Sequence, residues 1–141
     1  MYDKILAPTD GSDVSRRAVK HAAALADRCD SVVHGLFVTD SGSVEKVAGK
    51  YPVSMHDLKE TGHDALSEVE DFGAQFDVPV ETAVEPGVAH EEIVEYTDEH
   101  DIDVIVMGTH GRQGVGRYLL GSVTERVIRT ADIPVVTVGG H

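Results

Sequence analysis

Val104-Ile105-Val106-Met107-Gly108-Thr109-His110-Gly111, followed after nine further residues by Gly121-Ser122, is the stretch on which the fold turns. Val104 to Met107 are apolar and mostly β-branched, which predicts a strand buried on both faces, as strands of a parallel sheet are. Downstream, Val123, Val127 and Ile128 fall on one helical face, and Ser122 with Glu125 has the S-x-x-E spacing of a capping box. The glycines are therefore expected in a loop that leaves the carboxyl end of a strand and enters a helix amino terminus. Open α/β sheets bind ligands at such places, and a helix start with free N–H groups suits an anion.

The spacing excludes two common phosphate loops. Gly116 to Gly121 has the frame of a Walker A loop, but Ser122 stands where its lysine should be. Gly114-Val115-Gly116 begins a Rossmann fingerprint, but position 119 is Leu and the unit comes late in the chain. What remains is G-x2-G-x9-G-S at Gly108, Gly111, Gly121 and Ser122. That pattern fits a loop wrapping a polyphosphate with backbone amides and the Ser122 hydroxyl, glycine allowing close approach.

With these residues the chain resembles the universal stress proteins of the UspA type. The likeness runs through Leu119-Leu120-Gly121-Ser122-Val123-Thr124-Glu125-Arg126-Val127 to Ile133-Pro134-Val135-Val136-Thr137-Val138 and covers the whole sequence. In the ATP-binding branch of that family the motif is G-2x-G-9x-G-[S/T], complete here; the branch typified by UspA itself lacks it. The resemblance implies a nucleotide site at Pro8, Thr9, Asp10, Val38, Met107, Gly108, His110, Gly111, Arg112, Gly121, Ser122 and Val123. It implies ATP as ligand, with Asp10 reaching it directly or through magnesium, and backbone groups near Val38 holding the adenine.

Outward from this stretch the chain alternates. Lys4 to Ala7 reads as a first strand, and Pro8-Thr9-Asp10-Gly11-Ser12 turns it into a helix whose buried face is marked by Val14, Ala18, Ala22, Leu25 and Cys29. On residue type alone Asp10 is a helix-capping aspartate. Ser31 to Thr39 is the second strand. Residues 42 to 60 have weak periodicity and are expected to be an excursion or short helix able to cover the pocket. A helix over about 61 to 76 follows, then a strand from Val78 to Val84, a turn at Glu85-Pro86-Gly87, and an acidic helix over about 89 to 99 with Ile93 and Tyr96 inward. Val135 to Val138 is the last strand.

Such βαβαβαβαβ alternation calls for a doubly wound parallel α/β sheet of five strands with helices on both faces, Rossmann-like and in one domain spanning 1–141. The resemblance implies strand order 3-2-1-4-5, placing Asp10 beside Gly108 at the switch point. It also implies a homodimer through the last strand, and Val135, Val136, Thr137 and Val138 would otherwise leave a flat edge that proteins usually cover.

Composition narrows the function. The 25 acidic and 12 basic residues leave a net charge of -13, which argues against direct nucleic-acid binding. Residues 1 to 100 hold 21 acids and 8 bases, and residues 101 to 141 hold 4 of each. The glycine segment is thus neutral, with Arg112, Arg117, Arg126 and Arg129 in or just after the loop. Five lysines among so many carboxylates suggest adaptation to high salt, where screening removes self-repulsion. Cys29, the single cysteine, excludes an internal disulfide and reads as a buried thiol. Neither a membrane span nor a signal peptide is evident, so a cytoplasmic location is expected.

The eight histidines show no ligand spacing, although His110 lies inside the glycine loop and could touch a phosphate. No G-x-S-x-G occurs. Three functions are open: an ATP-binding dimeric switch acting in stress response, a slow ATPase or phosphotransferase for which no general base is evident, and a nucleotide-free dimeric assembly protein.

Overall fold

The structure is a computed structural model and describes residues 2–40, 55–110 and 120–139. Nine elements alternate along them: β1 (Lys4–Pro8), α1 (Asp13–Cys29), β2 (Val32–Thr39), α2 (Met55–Phe76), β3 (Val80–Pro86), α3 (Ala89–Glu99), β4 (Val104–Gly108), α4 (Ser122–Thr130) and β5 (Val135–Val138). The strands form one parallel sheet in the order β3-β2-β1-β4-β5, the order that the resemblance implies.

Apolar content sets each strand's place. All five residues of β4 are buried, and so are Ile5, Leu6 and Ala7 of β1; these two runs form the middle of the sheet. Alternate residues face opposite layers. Ile5, Ala7, Val33, Val104 and Val106 pack against Ala18, Ala22 and Ala26 of α1 and Val69 of α2. Leu6, Leu36, Ile105 and Met107 pack against Ile93 and Tyr96 of α3 and Val127 of α4. Each such Val, Leu or Ile contributes about 1.5–3 kcal/mol by burial, so the two layers dominate stability. Arg16 on α1 joins Glu68 on α2 through Nε at 2.8 Å and Nη2 at 3.1 Å, an exposed pair of little weight.

Four expectations change. The helix expected from about residue 61 is already helical at Met55, with Leu58 buried in the same core as Ala65, Leu66 and Val69; residues 42 to 54 lie outside the described residues. β3 lies two residues later than expected: Val78 N donates back to Gly73 O at 2.9 Å at the end of α2, Pro79 has no N–H for a ladder, and Pro86 completes the strand. Pro86 is tolerated there because β3 is an edge, where a missing N–H breaks no second ladder. Cys29 is only half-buried. Ile128, expected on the buried face of α4, is 43% exposed, so Val127 anchors that helix to the core with half-buried Val123 beside it. Among the described residues no helix is long and apolar enough to cross a membrane.

Candidate functional site

β1 and β4 are parallel neighbours, with Ile5 opposite Val104 and Leu6 opposite Ile105. The segments following both strands therefore leave on the same side of the sheet, at the point where the strand order reverses.

On the β1 side, Pro8 ends the strand, buried, and Thr9 N donates to Leu36 O at 2.9 Å, tying the turn to β2. The buried Thr9 hydroxyl lies 3.0 Å from Ser15 Oγ and accepts from Gly11 N at 3.2 Å. Ser12 is the N-cap of α1 and accepts from Ser15 N at 3.2 Å. Asp10 Oδ1 accepts from Ser12 N at 2.9 Å, so Asp10 braces the turn one step before the cap. A brace of this kind leaves a half-exposed carboxylate at the mouth of the crevice.

On the β4 side, Met107 and Gly108 are buried, and the Met107 side chain belongs to the core under α3 and α4. Only the Met107 backbone is placed to meet a ligand. A Cβ at Gly108 would stand 2.4 Å from Val14 Cγ1, closer than carbon atoms approach. The glycine thus admits the first turn of α1 against the end of β4, a reason its position in the motif does not reveal. Thr109 N donates to Val138 O at 3.0 Å, and Gly121 N donates to Thr109 O at 2.7 Å, so both ends of the glycine loop are pinned together. His110 is half-buried, its Nδ1 3.4 Å from Thr109 Oγ1. Gly111 and Arg112, like Gly114, Gly116 and Arg117, lie outside the described residues.

The helix start is built differently from the expected capping box. Gly121 is the N-cap of α4, with φ -65° and ψ 154° and no side-chain cap, which makes Ser122 the first helical residue. Glu125 instead pairs with Arg129 at 2.7 Å, so the Arg129 charge is spent within the helix rather than offered to the loop. The first turn is closed by Glu125 N on Gly121 O at 2.9 Å. A helix leaves its earliest N–H groups without intrahelical acceptors, and those of Ser122, Val123 and Thr124 stand at the end of β4. Thr124, which sequence reasoning passed over, is 2% exposed and donates its hydroxyl to Gly108 O at 2.8 Å.

At the third strand end, Val38 is half-buried with its side chain toward the α3 layer. Asp40 beyond it accepts Ala89 N at 2.9 Å and so caps α3, whose N-cap Val88 has no side chain to do so. Among the described residues no cluster of three His, Cys, Asp or Glu side chains is placed to hold a metal ion. A second polar group missed in the sequence lies lower on β2. His34, 2% exposed, has Nδ1 2.8 Å from the Tyr96 hydroxyl and Nε2 3.3 Å from Glu81 Oε2, while His100 stacks on Tyr96. Burial holds the His34 imidazole below the usual histidine range, with Glu81 opposing and His100 and Lys4 reinforcing the shift.

A doubly wound α/β sheet whose switch point brings together a helix start and a braced turn is the arrangement in which open α/β sheets seat ligands. The chain belongs to the universal stress protein family, whose model matches residues 1–139. Universal stress protein MJ0531 of Methanocaldococcus jannaschii is 41% identical over 140 residues, spanning 98% of this chain and 82% of the relative. The solved structure of MJ0577 from the same organism has TM-score 0.78 at 33% identity, covering 99% of this chain and 96% of that one. A universal stress protein solved in complex with cAMP has TM-score 0.70 at 26% identity, with 99% and 98% covered.

Proposed function

We propose that this protein binds an adenine nucleotide, ATP with magnesium, in the crevice between the turns after β1 and β4, and acts as a dimeric switch in stress response. The reading rests above all on the uncapped start of α4, pinned beside Gly108 and facing the Thr9-Asp10 turn. It is supported by the complete Gly108, Gly111, Gly121 and Ser122 spacing and by the related protein solved with cAMP. The phosphates lie against the backbone of Gly108 and the N–H groups of Ser122 and Val123, with His110 beside them and Gly111 and Arg112 assigned to the same site by the motif. The adenine meets the backbone near Val38, and Pro8, Thr9 and Met107 form the floor. Magnesium, carried in with the triphosphate, neutralises its charge, and Asp10 is the carboxylate assigned to it. Two copies join through Val135, Val136, Thr137 and Val138, and one domain over 1–141 carries the nucleotide site in the cytoplasm.

Isothermal titration of nucleotide-stripped protein with Mg-ATP in concentrated KCl tests the binding, with Gly121→Val as control. The control is informative because the Gly121 backbone lies in the extended region open to any residue, so an added side chain meets the seat without straining the backbone. Saturable heat that the variant loses supports the reading; no heat, and no competition with a fluorescent ATP analogue, moves it to a nucleotide-free assembly protein. Competition by cAMP distinguishes a triphosphate seat from a cyclic monophosphate one. Phosphate release under saturating Mg-ATP separates switch from enzyme, a rate above about 1 s⁻¹ marking a committed phosphoryl-transfer enzyme.

A further inference from the structure

Three hydrogen bonds converge where β4 ends. Thr109 N reaches Val138 O on β5, Gly121 N returns to Thr109 O, and the Thr124 hydroxyl donates to Gly108 O. The first two are backbone bonds, indifferent to side-chain identity. The third depends wholly on one buried side chain, which spans from the first turn of α4 to the last carbonyl of β4. Threonine has no helix-forming advantage there, so its place is explained by this bond. The Gly121 N–H is already consumed by Thr109, and among the described residues the amides of Ser122, Val123 and Thr124 have no intrahelical acceptor, which makes them the face of the helix that can meet a ligand.

We infer that Thr124 is a positioning residue for the phosphate end of the site: its hydroxyl, without touching the ligand, fixes where the open amides of α4 stand relative to Gly108. The inference rests on the nucleotide reading above. On that reading the adenine end lies at the close of β2, which the strand order sets on the far side of β1 from β4 and Thr124. Loss of the hydroxyl therefore acts on the phosphates and spares the base.

The test compares Mg-ATP with adenosine, which lacks phosphates, on the parent, Thr124→Val and Thr124→Ser. Valine keeps the shape and removes the donor, leaving the Gly108 carbonyl buried and unpaired. ATP affinity falls about tenfold or more in Thr124→Val, adenosine affinity changes less than about twofold, and Thr124→Ser restores ATP binding. A Thr124→Val protein that binds ATP like the parent overturns the inference, as does an equal loss of ATP and adenosine, or a serine variant that fails to recover. Should the valine variant not fold, Thr124→Ala is read by the same two ligands. A parent that binds neither ligand refutes the nucleotide reading and this inference with it, whereas a binding parent with an indifferent Thr124→Val refutes this inference alone.

Discussion

Replacing Gly108 by alanine tests what the first glycine of the motif is for. The added Cβ would stand 2.4 Å from Val14 Cγ1 and 3.3 Å from the Val14 carbonyl carbon, against an ordinary carbon contact of about 3.5–4.0 Å. Relief needs a shift of more than about 1 Å, and a β-branched side chain in a helix has no free rotamer to take up. Overpacking of this kind costs about 1–3 kcal/mol. Val14→Ala alone removes two buried methyl groups and costs about 2 kcal/mol, yet it also opens the space that the new Cβ needs. The double variant should therefore be more stable than the sum of the two singles by about 1–2 kcal/mol. Urea unfolding followed by circular dichroism measures all four proteins, with the slope held common. Additivity within about 0.5 kcal/mol would refute the packing account. ATP titration of the double variant adds a second reading: recovered binding assigns Gly108 to the helix, and persistent loss assigns it to the ligand.

The buried His34 makes stability depend on pH. Its folded pKa lies below the unfolded one, so the unfolded chain takes up a proton first as pH falls through about 6.5. Stability is complete above that pH and declines toward the lowered folded value, with a slope of at most about 1.4 kcal/mol per pH unit from this group; in His34→Gln, melting between pH 7.5 and 5.5 should lose that part of the slope. Asp77 has φ 56°, in the left-handed region where glycine is unstrained, so Asp77→Gly should raise stability by about 0.5–1 kcal/mol, and a lowered urea midpoint would count against this. The Glu95 carboxyl is pushed up by Glu92 and then Glu99 on the outer face of α3, a local sign of self-repulsion in a chain of net charge -13. The melting temperature should accordingly rise from low to molar KCl, and an unchanged value would sink the salt-adaptation reading.

The fold was legible because the central strands are unbroken apolar runs and the crossovers are of helix length. Val104 to Met107 and Ile5 to Ala7 could hardly be placed except between two layers. The sequence reading placed Gly108, Gly121 and Ser122 correctly between the end of β4 and the start of α4, because backbone geometry writes itself in glycine and serine. It failed where a side chain works across the fold: nothing about Thr124 in a helical run announces a bond to a carbonyl sixteen residues earlier. His34 and Tyr96 are 62 residues apart and meet only because α3 lies over β2. The capping box failed for a related reason. Gly121, held by Thr109, takes the cap position one residue before Ser122, so the spacing was right and its frame was not.

The two margins of the sheet are unlike. β3 carries Glu81, Glu85 and Pro86 along its outer rim, with Val80 packed toward the core and Val84 48% exposed. β5 is Val-Val-Thr-Val, without a charge or a proline. Charges and proline discourage a passing strand, and their absence invites one. An isologous pair through β5 would spend both inviting rims on each other and turn only guarded rims outward. In such a pair growth would halt at two copies, and the polarity of the sheet, charged at one side and bare at the other, would act as a counter that permits a pair and forbids a filament.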